Sequence, residues 1–402
     1  MTLKLSRRGL LGSAAAAPFL LAPVSARALA AAAPSPGDTP SFPAVDFDGL
    51  AKQIARTLAP AAGERAILGF DPGYYPDLAA AIERRFASSG VESFLAMAFD
   101  PPDIVAAADS RPGAQKRQDD FVAWLAPAFE KADLFLWLPT RTLYADTRFE
   151  HLVDGSKVRG IHFHWILDWE GRGPEDIARL SKLYEKTILE TDYAALSRTQ
   201  ERLIGLLRGK TVRLTSPGGT DLRFIVPADA WFHKNDGDMS AARAKTARGA
   251  RDREMELPAG ALRFIPDRDS VAGHLVVAKT GTPDGDVENL GLGFQGGKVR
   301  AMRAEKGEQA FRKQWEAIGG DVDRVGEIVI GTNPILAAGG SPGELPYFGY
   351  GAGAVRVSLG DNWESGGPNR TPGNRNWWLF LGDATLEADG RALVREGRLL
   401  AE

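Results

Sequence analysis

Ala132-Asp133-Leu134-Phe135-Leu136-Trp137-Leu138 is the stretch on which the fold turns. A short apolar run with no turn residue inside it reads as a strand buried on both faces. Just before it, Phe121 to Lys131 has helical spacing, and after it Ile161 to Leu167 reads as another strand. Upstream, Asp48 to Leu58 is helical, and Ala66-Ile67-Leu68-Gly69-Phe70 is a strand that stops at Asp71-Pro72-Gly73. Tyr75 to Ser88 returns to the helical period, and Val91 to Phe99 is a strand ended by Pro101-Pro102. Downstream, Gly173 to Arg208 is strongly helical. Strands that alternate with helices predict right-handed crossovers and a mostly parallel sheet covered on both faces.

Beyond Gly209 the texture changes. Thr211 to Thr215 and Asp221 to Val226 flank Pro217-Gly218-Gly219-Thr220, the signature of a hairpin. Short strands and glycine-rich turns continue to the end, interrupted by a helix near Gly307 to Ile318. The expected organisation is an α/β domain over residues 45–208 and an α+β domain with antiparallel strands over 209–402. No internal repeat is visible.

The first 30 residues read as a twin-arginine export signal. Ser6-Arg7-Arg8-Gly9 precedes an alanine-rich apolar stretch and small-x-small cleavage candidates at Ala26-Arg27-Ala28 and Ala28-Leu29-Ala30. Residues 31–44 form a Pro/Ala/Ser spacer, expected to be disordered. A periplasmic or secreted protein is therefore expected. The absence of cysteine suits an oxidising compartment and excludes disulfides, thiolate metal sites and a cysteine nucleophile. A net charge of −3 without a long basic block argues against nucleic acid as a partner. No second segment is long and apolar enough to hold the chain in a membrane once the signal is removed.

Three segments carry the chemistry. They are Glu256-Leu257-Pro258-Ala259-Gly260-Ala261, Gly326-Glu327-Ile328-Val329-Ile330-Gly331-Thr332-Asn333-Pro334, and Arg356-Val357-Ser358-Leu359-Gly360. With Gly219-Thr220-Asp221-Leu222 upstream and Asp389-Gly390 at the end, their order and spacing resemble the aminopeptidase T/aminopeptidase S family of two-metal peptidases, across roughly Thr211 to Gly390. The first half fits that family's α/β domain in pattern only.

The resemblance implies a set of metal ligands, and most of them are missing. The family's metal-binding Glu after Leu-Pro-x-Gly falls on Ala261, and its next ligand is retained as Glu327. A family His falls on Arg356, the catalytic Tyr on Trp363, and the closing His-x-Asp pair on Asn374-Arg375-Asn376. A guanidinium cannot ligate a metal. At roughly 4 Å and an effective dielectric of 20, it would repel a divalent ion by about 8 kcal/mol. No metal or other cofactor is expected here, although zinc, cobalt or manganese would be implied if the family activity persisted. Glu327 is expected to pair with Arg356 where the metal would have been.

Between Gly339 and Asn376 lies a loop rich in Gly, Pro, Asn and aromatics, suited to a peptide or small-molecule cleft. The residues expected to act there are Glu327, Arg356 and Trp363, with Asn333, Tyr350, Asn374 and Asn376 contacting the ligand. Trp378, in a strand with alternating burial, is expected in the core. His162 and His164 share a strand face and could hold a relocated metal with Asp168 and Glu170, though a structural role weighs more. His233 and His274 read as surface or loop residues, and the basic run Arg243 to Arg253 as a solvated face or an attractor of anions. There is no Gly-x-Ser-x-Gly elbow and no dinucleotide loop.

Three functions stay open. One is an exported binding or accessory protein without metal-dependent peptidase activity. Another is an enzyme with a relocated metal or metal-free chemistry at Glu327; a ring-cleaving dioxygenase group of related fold also needs His and Asp ligands absent here. The third is a structural, partner-binding protein. The family resemblance also implies a homodimer.

Overall fold

The structure is a computed structural model that describes residues 45–70, 76–98, 114–138, 152–163, 174–282, 284–339, 347–372 and 375–400. The segments expected to be an export signal and a spacer lie outside these residues. Strands β1 (Arg65–Phe70), β2 (Ser93–Ala98), β3 (Leu134–Leu138) and β4 (Arg159–Phe163) pair in the order β2-β1-β3-β4, all parallel. Helices α1 (Phe47–Leu58), α2 (Pro76–Ser88), α3 (Ala114–Phe129), α4 (Pro174–Glu190) and α5 (Tyr193–Leu207) belong to this half.

Strand β3 shows why the layer forms. Leu134, Leu136 and Leu138 enter one apolar cluster, while Phe135 and Trp137 enter another on the opposite face with Phe129. Both faces are covered, as a continuous apolar run requires. The strongly helical stretch over Gly173 to Arg208 forms two helices, broken at Thr191-Asp192. There the Asp192 carboxylate accepts from the Ala195 N–H (2.9 Å) and caps α5. Helical periodicity carries across such a break, so the pattern alone did not reveal it.

The second half contains β5 (Thr211–Thr215), β6 (Asp221–Ile225), β7 (Phe232–Lys234), β8 (Glu254–Leu257), β9 (Ala261–Phe264), β10 (Ala272–Thr282), β11 (Gly285–Gln295) and β12 (Lys298–Arg303). After helix α6 (Glu308–Ile318) come β13 (Val325–Gly331), the short helix α7 (Pro334–Gly339), β14 (Val355–Gly360), β15 (Asn376–Leu381), β16 (Thr385–Ala388), β17 (Arg391–Arg395) and β18 (Arg398–Leu399). One antiparallel sheet runs β12-β11-β10-β6-β5-β16-β17-β18, and a second runs β15-β14-β13-β9-β7. Their facing residues share one core, with Leu214, Phe224 and Leu290 from the first and Phe264, Ile328 and Val357 from the second.

One strand crosses the change of texture at residue 209. β8 returns to the parallel sheet as its fifth strand, beside β4, with Gly160 opposite Glu254 and His162 opposite Glu256. It carries two glutamates to the seam where the parallel sheet meets the β15-β14-β13-β9-β7 sheet.

Candidate functional site

The five-stranded antiparallel sheet has one apolar face and one polar face. Leu262, Phe264, Ile328, Ile330, Val355, Val357, Leu359, Leu379 and Leu381 point into the shared core. Register places His233 opposite Arg263, Arg263 opposite Val329, Val329 opposite Arg356, Glu327 opposite Ser358, and Ser358 opposite Trp378. Paired residues lie on the same face, so these form a polar row, interrupted by the buried Val329, across all five strands. Glu327 reaches that face through a bulge. Val325 pairs with Leu359 and packs in the core, whereas Glu327, two residues later, pairs with Ser358. The extra residue is Gly326, where a Cβ would sit 2.8 Å from the Gly360 carbonyl oxygen. A bulge re-aims a side chain that simple alternation would have sent inward.

Two guanidinium groups converge on Glu327. Arg356 Nη2 donates to its Oε1 at 2.6 Å, and Arg263 Nη1 donates to the same oxygen at 3.0 Å. Through Nη2, Arg263 also donates to Glu256 and to the Tyr350 hydroxyl, and that hydroxyl donates to Glu256. Arg251 lies 3.4 Å from Glu256 and 3.8 Å from Glu254 and pairs with Glu364, while His162 Nδ1 is 2.9 Å from Glu254. The Arg356 guanidinium lies 4.5 Å from the centre of the Trp378 ring and 6.0 Å from that of Tyr350. Arg356 is 0 % exposed and Arg263 is 4 % exposed.

The charges decide what this cluster can do. Burial pushes the Glu327 carboxyl up, but Arg263, Arg356 and Arg251 outweigh it and hold it below the usual carboxylate range. Burial opposes ionisation at Glu254 too, yet Arg251 and His162 bring it down to about 2. Burial raises the Tyr350 hydroxyl well above its ordinary value. Glu327 is thus a carboxylate between two guanidiniums whose ionised form is favoured, a weak base near neutral pH, and Tyr350 keeps its proton. A dication does not fit this set: Arg356 has no lone pair to offer and Ala261 only a methyl group. Among the described residues, no group of three or more His, Asp or Glu side chains is placed to hold a metal ion.

The other sequence candidates distribute as follows. Ala261 is fully buried and joins the apolar cluster of the parallel layer. Asn333 is fully buried too and its amide is committed to the fold. Nδ2 donates to the Ala259 carbonyl and the Thr191 hydroxyl, and Oδ1 accepts from the Ile335 N–H to cap α7. Its amide therefore serves as a structural cap. Trp363 lies half-buried in a short turn, and Asn376 is exposed at the start of β15. Asn374, His164, Asp168 and Glu170 lie outside the described residues.

Several expectations need correction. In β15 it is Trp377 that packs in the core; Trp378 is half-buried on the polar face, because the strand's inward phase falls on odd positions. His233 is not a surface residue: it is 2 % exposed, stacks on Trp231 and lies 3.6 Å from Asp252. The basic run is not simply a solvated face, since Arg251 reaches into the cluster and Arg253 donates to the carbonyls of Val153 and Ser156. The partners missing from the sequence reading are Arg263, Glu256, Arg251 and Glu254. The available signal was charge at alternate positions of apolar strands, in Ala261-Leu262-Arg263-Phe264 and Glu254-Met255-Glu256-Leu257.

Comparison with known proteins places this architecture. No protein-family model matches the chain. No curated protein matches it either. Among solved structures, it is similar to the 2,5-dihydroxypyridine dioxygenase of Pseudomonas putida KT2440. The TM-score is 0.62 and the identity 18 %, over 89 % of this chain and 97 % of that one. It is equally similar to wild-type AmpT of Thermus thermophilus, with a TM-score of 0.62 and 17 % identity over 88 % of this chain and 98 % of that one. The fold is aminopeptidase T-like. At these identities the likeness is one of fold alone.

Proposed function

We propose that the protein is an exported member of the aminopeptidase T-like fold that works without a metal centre, as a binding or accessory protein for a peptide or small molecule. The observation that carries this reading is the convergence of Arg356 and Arg263 on one Glu327 oxygen, at 2.6 and 3.0 Å. The positive charge a dication would bring to Glu327 is supplied there by two side chains. Removing one member of a buried Arg–Glu–Arg arrangement leaves an uncompensated buried charge, and a dication approaching Glu327 would meet two guanidiniums already on Oε1. The reading of residues 1–30 as an export signal supports the assignment outside the cytoplasm.

Metal analysis of protein purified from its native export route, combined with hydrolysis of aminoacyl reporter substrates, tests the proposal. The expected result is sub-stoichiometric metal and no chelator-sensitive hydrolysis. Two equivalents of zinc, cobalt or manganese together with such hydrolysis would overturn it. Acid–base catalysis by Glu327 is the weaker alternative, because a carboxylate held low by three guanidiniums is poorly matched to proton transfer near neutral pH.

A further inference from the structure

At the β14–β15 end of the polar row, buried hydrogen-bond donors outnumber the acceptors. Among the described residues, Arg356 Nε and Nη1, the Ser358 hydroxyl and the Trp378 indole N–H are all buried without a partner. Arg356 and Ser358 are two apart on β14 and share a face, and Trp378 is directly opposite Ser358. The Trp378 ring lies against the Arg356 guanidinium at 4.5 Å, so the three groups form one corner. Native structures rarely leave such donors unmet, and several together in one place point to an acceptor that is not part of the chain.

Charge and shape narrow the class of that acceptor. Among the described residues Glu327 is the carboxylate paired with Arg356, and it is shared with Arg263; Glu256 lies between Arg263 and Arg251, and Glu254 and Glu364 lie beside Arg251. The corner is therefore the electropositive end of the row. Its walls are flat: Trp378, Tyr350, and Phe348, whose ring packs edge-on against Trp378 at 5.4 Å. Trp378 is only half-buried, so solvent lies one side chain away from Arg356.

We propose that Arg356, Ser358 and Trp378 form a subsite for the carboxylate of a small organic acid whose apolar or aromatic body lies against these rings. Guanidinium and carboxylate match in charge and in planar geometry, and the hydroxyl and indole N–H supply the remaining donors. The inference rests on the proposed binding function and specifies the class of ligand it would take.

Calorimetric titration of the mature protein with phenylacetate, phenylacetamide and N-acetylphenylalanine tests it. Phenylacetate should bind saturably, and phenylacetamide about tenfold more weakly, since loss of the charge removes the charge-assisted bonds. Trp378→Phe keeps the ring but removes the N–H, and should weaken phenylacetate by about tenfold at an unchanged thermal midpoint. Ser358→Ala should act in the same direction. These variants leave the Glu327 pairing intact, so the test does not depend on Arg356 variants that fail to fold. N-acetylphenylalanine binding as tightly as phenylacetate would assign the corner to peptide C-termini, and markedly weaker binding would assign it to free acids; either supports the carboxylate. Equal affinity for acid and amide, full affinity in Trp378→Phe, or no saturable carboxylate binding would overturn the proposal. Those results in metal-free protein would leave the metal-independent reading standing. Carboxylate binding abolished by a chelator would make the acid a metal ligand and sink both.

Discussion

Arg356 lies one diagonal away from Glu327 on the β13–β14 ladder: Ser358 is opposite Glu327, Val329 is opposite Arg356, and Nη2 still reaches Oε1 at 2.6 Å. Diagonal neighbours in an antiparallel pair are about 7–8 Å apart at Cα, a gap that a long guanidinium side chain spans easily. The contact fixes both groups on the face turned toward the parallel sheet. Arg263 reaches the same oxygen from the other side, so the carboxylate ties three adjacent strands together.

Removing one member should therefore cost more than the pair is worth. Arg356→Met should destabilise the protein by about 3–5 kcal/mol, because it leaves a buried carboxylate under-compensated. Adding Glu327→Leu should recover part of that loss, with a coupling of about 1–3 kcal/mol in a double-mutant cycle measured by urea unfolding. Additive losses would show that the two groups do not act as a unit.

A carboxylate introduced at position 261 alone should not create a metal site. Ala261 is fully buried within an apolar cluster, so Ala261→Glu should cost about 2 kcal/mol or more. Millimolar zinc should not raise the thermal midpoint of this variant above its zinc-free value. A zinc-dependent rise of several degrees would mean that the cluster still accepts a dication.

Acid should weaken the fold within a defined window. The Glu254 carboxyl, with an ordinary value of 4.5, is brought to about 2 against the opposing effect of burial, and Glu327 is also lowered. A depressed folded-state value means that the unfolded chain binds the proton more readily, so stability is complete above about pH 4.5 and falls as pH drops toward about 2. Urea midpoints between pH 6 and 3 should follow this course, and Glu254→Gln should flatten it. An equally steep decline in that variant would place the titrating group elsewhere.

Asn333 should prove to be a matter of stability and not of binding. Asn333→Ala removes a helix cap and two buried donor contacts, a loss of roughly 2–3 kcal/mol. Phenylacetate affinity at a temperature where the variant is folded should match that of the unaltered protein. A selective loss of affinity would return Asn333 to the cleft.

The fold was legible wherever period and punctuation were local. The apolar run at Leu134 to Leu138, the hairpin around Gly218-Gly219 and the helix ending at Ile318 all lie where the pattern puts them. The break between α4 and α5 was not legible, because a cap at Asp192 interrupts a helical period without shifting its phase visibly. That Ala261 and Arg356 offer a cation no lone pair could be read directly, since it depends only on which side chains are present. The phase of β15 could not: Trp377 and Trp378 are both large and aromatic, and only the pairing with β14 decides which one meets the core.

By itself, the sequence determined the order of the elements, the two textures of the chain and the chemistry of the groups available, since each is a property of neighbouring residues and their side chains. Tertiary structure alone decided that β8 joins the parallel sheet, that the Gly326 bulge turns Glu327 onto the polar face, and that Arg263 becomes its second partner. Register and burial arise from contacts between residues far apart in the chain, and a buried charge takes whichever opposite charge the packing brings within reach.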